Sequence, residues 1–358
     1  MRHLQILHYV TQWLWLTDRF VYGPISASRH DTMIVSRGEI CNEKIFPHPF
    51  VISLAHWAGP TPTEGTETAQ AMIRMIGQAR PDVVHLHHGY GLPDAAAIAA
   101  RLEVPLVVSL WGYDATVLLR SDPERCSVLL RTADRVLVPS QFFARITEAL
   151  GISNDRIRVI PGGVDTSYFS PTPVPVPPRV AFIGRFVEKK GIDVLLEAWP
   201  HVRAAVPGAR LTMLGYGAPA PTASRDLGIR VLAPDPLRAQ AQCRSLIRRS
   251  RLYVSPSRTA SNGDSESQHI GNVEAQASGR PVVTTAHGPI PEFVRHNETG
   301  LVVPENDAES LSAAITVLLT DHARCQQFGL NAQRWAKSFD VRRVSRLHDE
   351  LYEDVDGG

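Results

Sequence analysis

Short runs of aliphatic and β-branched residues recur along the chain at 4–10, 32–36, 51–54, 83–87, 105–110, 135–138 and 158–160, each followed by a stretch long enough for a helix. Runs that stay apolar instead of alternating belong to strands covered on both faces, so the pattern predicts parallel sheets wound with helices on each side. A second series occupies 180–183, 211–214, 229–232, 252–255, 282–284 and 301–303. Between the two series stand Pro171, Thr172, Pro173, Val174, Pro175, Val176, Pro177 and Pro178. No helix interior or central strand accommodates that run, and a stiff extended linker does. The expected architecture is α/β, with two doubly wound Rossmann-like domains at residues 1–169 and 170–338. A charged, amphipathic stretch at 339–358 is expected as a helix crossing back onto the first domain. Open α/β sheets bind ligands beyond the carboxyl ends of their strands, so the site is expected in an interdomain cleft.

Length and composition agree with two globular domains: 358 residues, 44% of them hydrophobic, exceed what one core holds comfortably. A formal charge of +1, without any basic tract, argues against nucleic acid as a partner. No window reaches the roughly 18 apolar residues of a membrane span. The first residues enter a strand directly, without a leader-like apolar region, so a cytoplasmic location is expected. Cys41, Cys126, Cys243 and Cys325 are scattered and form no C-x-x-C pair, so neither disulfides nor zinc are indicated. Basic residues are overwhelmingly arginine, with lysine only at 44, 189, 190 and 337.

Two of those lysines fall in the first chemically suggestive segment. Gly184 and Arg185 follow a strand directly, and Lys189, Lys190 and Gly191 come soon after. An arginine fork and a mobile ammonium can together neutralise a diphosphate. The second segment runs from Asn262 through Glu266, Ser267, Gln268, His269, Ile270, Gly271, Asn272 and Glu274 to Gly279 and Pro281. The glycine and proline end a helix, which places its free N–H groups near residues 269–272, where an anion is attracted. Glu266 before the helix and Glu274 inside it flank that position. Carboxylates accept hydrogen bonds from paired hydroxyls, as on a ribose or a hexose.

Gly184-Arg185 with Lys190-Gly191, and Glu266 and Glu274 followed by Ala275, Gly279, Pro281, Val282 and Val283, resemble the retaining family 4 glycosyltransferases of GT-B fold. The exopolysaccharide and colanic-acid type is the nearest within that family. It is matched through residues 262–266, residues 160–165, and Gly112, Tyr113 and Asp114. The resemblance implies a first domain that binds acceptor and a second that binds a nucleotide diphosphate sugar, UDP-sugar before GDP-sugar. It assigns Arg185 and Lys190 to the diphosphate, Glu274 to the ribose and Glu266 to the transferred sugar, and Arg185, Lys190 and Glu266 to catalysis. Gly215 matches the family's glycine turn near base and phosphate. Neither cofactor nor metal is implied. The acceptor would be a saccharide, a natural product or a lipid-linked sugar, with at most peripheral membrane contact.

The chain departs from the family at three places. Trp111 stands where many relatives carry a histidine near the transferred sugar, and Ser267 where a glycine is usual, so a serine is expected to cost strain there unless the loop takes another shape. Trp111, Asp114, His87 and Arg19 are the candidates for the acceptor or sugar side. The segment before the first helix offers Gln12, Thr17 and Asp18 in place of paired glycines. A metal reading of His85, His87 and His88 is rejected, since no further ligand stands at a recognised spacing. Rival readings are a sugar synthase, phosphorylase or epimerase of the same fold, and a catalytically silent nucleotide-sugar-binding subunit.

Overall fold

The computed structural model describes residues 2–14, 18–57, 59, 62–118 and 121–357. The chain divides into two compact units, residues 1–163 with 341–358, and residues 164–340. The division falls just before Val164, so Phe169, which the sequence reading put at the end of the first domain, packs in a core of the second unit.

The first unit is built on a seven-stranded parallel sheet. Its strands are β1 (Gln5–Val10), β2 (Asp31–Ser36), β3 (Val51–Ser53), β4 (Val83–His87), β5 (Leu106–Ser109), β6 (Arg135–Val138) and β7 (Ile157–Val159), in the order 3-2-1-4-5-6-7. One face is covered by helices including Thr66–Ile76 and Leu92–Leu102 over Leu7, Tyr9, Val84, Leu86, Leu106 and Val108. The other receives the helix Val341–Asp356. Val344, Leu351, Tyr352 and Val355 of that helix pack on Leu4, Ile6, Val83, Val107 and Leu137. Ile6, Val83 and Val107 are one position removed from Leu7, Val84 and Val108 of the first face, as the alternation of side chains across a strand requires.

The second unit holds a six-stranded parallel sheet. It consists of β8 (Arg179–Ile183), β9 (Arg210–Leu214), β10 (Ile229–Leu232), β11 (Leu252–Ser255), β12 (Val282–Thr285) and β13 (Gly300–Val303), in the order 10-9-8-11-12-13. The sheet order reverses between β8 and β11, and such a switch point opens a crevice at the carboxyl ends of the strands. Among the described residues, no helix is long and apolar enough to cross a membrane.

Candidate functional site

In the second unit, the chain leaving β8 turns through Gly184 and Arg185 into a short 3-10 turn at Glu188–Lys190. Gly191 closes that turn at φ +59°, where a Cβ would stand 1.8 Å from the Pro256 carbonyl oxygen. Only glycine fits, and the turn is thereby pressed against the end of β11. Gly215 similarly lets the end of β9 approach β8, since a Cβ there would lie 2.0 Å from the Gly184 oxygen. Gly184 itself is under no such constraint, its nearest neighbour being the Lys190 stem at 3.5 Å.

The turn delivers Lys190 to Glu266, with Nζ 2.7 Å from Oε1, Glu266 buried and the Lys190 side chain only partly exposed. Burial alone would raise the Glu266 pKa, but the charges of Lys190 and Lys189 overcome it and hold the carboxyl well below the usual range. Burial lowers the Lys190 pKa, and the Glu266 charge opposes that shift. The Glu266 shift favours its carboxylate, whereas the Lys190 shift runs against its charge; the 2.7 Å contact is what holds the two as an ion pair. Arg185 is exposed nearby and has no hydrogen-bond or ion-pair partner among the described residues. Lys189, which the sequence reading counted only as a neighbour of Lys190, is buried and structural. Its Nζ donates to Asp264 Oδ1 at 2.9 Å and to the Ser265 carbonyl at 3.2 Å, tying the loop before the helix to the turn after β8.

The helix Ile270–Ala277 begins where expected, with His269 at its N-cap in the left-handed region at φ +57°. His269 is buried and both ring nitrogens lack a partner among the described residues. Burial, then the Lys190 charge, bring its pKa down to about 3, so the imidazole is neutral at pH 7 and can give one hydrogen bond and accept another. Gly271 lies in the first turn beside the Tyr253 hydroxyl, which donates to the Ile183 carbonyl at 2.9 Å. Asn272 accepts a hydrogen bond from Ser255 at 2.6 Å and leaves its amide nitrogen unpartnered. Glu274 follows at a half-buried position, close enough for its charge to act on Tyr253. The structure thus gathers Arg185, Lys190, Glu266, His269, Gly271, Asn272 and Glu274 at the carboxyl ends of β8 and β11. Ser267 does not take a positive φ, so the strain expected of a serine there is absent; the left-handed residue is His269.

In the first unit Trp111 and Asp114 stay together, while His87 and Arg19 have other partners. Trp111 is buried, and its ring meets Phe20 edge-on at 4.4 Å between centroids, with Nε1 unpartnered among the described residues. Asp114 is also buried, and its carboxylate accepts the Trp111 N–H at 2.9 Å and the Gly89 N–H at 2.9 Å. It clamps the loops after β4 and β5 together. His87 faces away from those loops into a buried cluster, its Nε2 3.0 Å from Nδ1 of His8. Arg19 lies over the Phe46 ring at 5.8 Å. Thr17 falls outside the described residues.

The histidine cluster gains a member the sequence did not reveal. His8 on β1 is paired in register with His85 on β4, so their rings share a face with His87. Ring nitrogens of these three lie within 4.8 Å of one another. His85 uses both of its own, on the Tyr352 hydroxyl at 2.6 Å and the Ser109 hydroxyl at 2.8 Å. The donor set left for an ion is therefore two imidazoles, fewer than the three or four ligands of a closed or catalytic zinc site.

Two parallel α/β sheets, the second carrying paired cation and carboxylate at a helix N-terminus, define the GT-B class of glycosyltransferase folds. Residues 177–321 match the family described as glycosyl transferases group 1, and residues 26–168 match glycosyltransferase family 4. The chain belongs to that family. It is 29% identical over 293 residues to WcaL of Escherichia coli (strain K12), assigned by name to colanic acid biosynthesis, covering 79% of this chain and 65% of that one. A GDP-mannose-dependent alpha-(1-6)-phosphatidylinositol monomannoside mannosyltransferase of Mycolicibacterium smegmatis is 28% identical over 321 residues, 82% of this chain and 79% of that one. The chain thus spans about two-thirds of the length of the first of these relatives. Among solved structures, Anabaena Alr3699/HepE in complex with UDP and glucose superposes with a TM-score of 0.77 at 18% identity, over 98% of this chain and all of that one. A sucrose-phosphate synthase of Thermosynechococcus elongatus does so at 0.72 and 18% identity, over 99% and 100%. At such identities the likeness is one of fold.

Proposed function

We propose that the protein transfers a glycosyl group from a nucleotide diphosphate sugar to a hydroxyl of a saccharide, natural-product or lipid-linked acceptor in polysaccharide or glycoconjugate biosynthesis, with retention at the anomeric carbon. The observation that carries this reading is the 2.7 Å Lys190–Glu266 ion pair beside the N-terminus of the helix Ile270–Ala277, with unpartnered His269 at the helix N-cap. A diphosphate entering there meets Lys190, exposed Arg185 and the free helix N–H groups, which favour charge growing on a leaving group. In this reading Glu266 accepts hydroxyls of the transferred sugar, and Glu274, further along the helix, those of the ribose.

In the proposed reaction the bond from the anomeric carbon to the β-phosphate oxygen breaks as the acceptor oxygen bonds to the same face of that carbon. The acceptor proton passes to the departing phosphate oxygen. No protein base is then needed at the reacting face, which fits a site whose carboxylate Glu266 is held by Lys190. UDP-sugars are the first donors to test, in view of the UDP complex named above, and GDP-sugars the second, in view of the GDP-mannose-dependent relative.

The test is a thermal-shift screen of UDP-, GDP-, ADP- and dTDP-sugars, followed by NMR of the product formed with the stabilising donor. A donor present at 100 times its Kd should add about 2.7 kcal/mol of stability. Failure of every donor to stabilise the protein removes the reading, and an inverted anomeric configuration removes retention. Product identity also separates transfer from synthase or phosphorylase chemistry.

A further inference from the structure

Three neighbouring strands of the second unit each contribute the residue two positions beyond their last: Ser257 after β11, His287 after β12 and Glu305 after β13. Thr285 and Val303 are register partners, so His287 and Glu305 emerge side by side. His287 is 1% exposed, and its Nδ1 lies 2.9 Å from Glu305 Oε1. Its Nε2 lies 3.1 Å from the backbone nitrogen of Glu266. A backbone N–H can only donate, so Nε2 must carry the lone pair and Nδ1 the proton, which it gives to Glu305. The second oxygen of Glu305 accepts the Thr259 N–H at 3.0 Å, fixing the carboxylate in turn. On its other side the Glu266 loop is held by Lys189 through Asp264 and Ser265.

We propose that His287 and Glu305 are positioning residues for the donor site: a carboxylate–imidazole relay that grips the main chain at Glu266 and so sets where its carboxylate meets the transferred sugar. The inference rests on the glycosyl-transfer reading for its consequence, but its geometry stands without it. The relay acts on the backbone and leaves the Glu266 carboxylate for Lys190, the Ser257 hydroxyl at 3.4 Å and ligand. Its loss should therefore disturb the sugar end of the donor and spare the diphosphate end, which Arg185, Lys190 and the helix hold.

Two measurements test this on the full chain with His287→Ala, His287→Gln and Glu305→Gln. The first is amide hydrogen exchange of residues 264–268 in the free protein. His287→Ala should speed exchange at Glu266 by about tenfold or more while strands β8 and β11 keep their protection. His287→Gln, whose side-chain oxygen can occupy the Nε2 position, should restore much of that protection. The second compares binding of UDP with transfer from UDP-glucose. His287→Ala should leave UDP affinity within about twofold and lower turnover about 10- to 100-fold, as loss of an outer partner of a site does. Glu305→Gln should give a smaller loss of the same kind. Unchanged exchange at Glu266 in His287→Ala would overturn the relay, as would a parallel fall in UDP affinity and turnover, or a glutamine no better than alanine. Should wild-type protein neither bind UDP nor transfer from UDP-glucose, the exchange measurement still decides the relay, and the failure falls on the donor assignment.

Discussion

The two units carry similar parallel sheets but treat the polar residues at their strand ends differently. In the first, several buried polar groups serve the fold, although Trp111 Nε1, His8 Nε2 and His87 Nδ1 have no partner among the described residues. Asp114 accepts loop N–H groups, Asp94 accepts the Tyr9 hydroxyl and Arg37, and His85 bridges Ser109 to Tyr352 of the last helix. In the second, several are held ready: Lys190 and Glu266 neutralise each other, His269 has two open nitrogens, Asn272 has an open amide and Arg185 is exposed. Buried polar groups without partners cost stability, so a site that keeps them is poised for a ligand that supplies the missing bonds. The same residue types thus carry different meanings in the two sheets. Their hydrogen-bond partners decide which.

Acid should separate the units most widely. Burial, then neighbouring histidine charges, hold His8, His85 and His87 well below 6.5, and burial brings His348 down to about 4. The unfolded chain binds protons at these positions below about 6.5 and the folded chain does not, so stability falls as pH drops through that value. The decline continues until the folded groups themselves titrate, near 4 for His348. From pH 7 to 5.5 each such histidine should remove about 1 kcal/mol. In the second unit His269 is shifted in the same sense, and Glu266, with its lowered pKa, begins to lose stability only below its unperturbed value of 4.5. Amide exchange at pH 7 and 5.5 should therefore show β1 and β4 losing protection before β8 and β11. Equal loss in both sheets would erase the distinction.

The next effect lies in the second unit. Lys190→Ala leaves Glu266 buried and unpaired, which should lower stability by about 3–5 kcal/mol. Turnover should fall about 10²- to 10³-fold through loss of diphosphate stabilisation. Pairing it with Glu266→Gln gives a cycle in which the double variant is less destabilised than the two single losses combined. Additive losses in denaturant melts would show that the pair is not coupled. For the first unit the matching change is Asp114→Ala. It removes a buried acceptor of two loop N–H groups and should lower stability by about 2–3 kcal/mol, with UDP affinity unchanged. A selective rise in acceptor KM with full stability would instead support the acceptor role expected of Asp114 from sequence.

The thirteen strands were legible because buried parallel strands are written as continuous apolar runs, and each expected run lies within a few residues of an observed strand. The helix carrying Glu274 was legible from its terminating glycine and proline. What the sequence hid were partnerships across long separations. Tyr352 meets His85 from 267 positions away, and Glu266 is held by His287 and, through Lys189, by residues that read as a charged loop. A rule of position could have found some of them. Arg185, Ser257, His287 and Glu305 all stand two residues past a strand of the same sheet, where a parallel sheet gathers side chains at one edge. The fate of His87 and Asp114 could not be read that way, since facing into the core or out to the loop depends on partners from other strands.

The smallest effect is the sharpest test of one sequence inference, that position 267 calls for a glycine. If it did, Ser267→Gly would relieve strain and stabilise the protein. In the structure Ser267 is outside the left-handed region and His269 is inside it. Glycine at 267 would then only widen the conformational freedom of the unfolded chain, lowering stability by about 0.4–1 kcal/mol. The sign alone decides between the two accounts. Because the proposed donor contacts at Glu266 and His269 do not pass through the Ser267 side chain, UDP affinity should stay within about twofold, a difference of roughly 0.4 kcal/mol. A stabilised variant in thermal melts would mean that the loop around Glu266 adopts the glycine-type turn common in its relatives. The positioning of Glu266 by His287 would then have to be redrawn along with it.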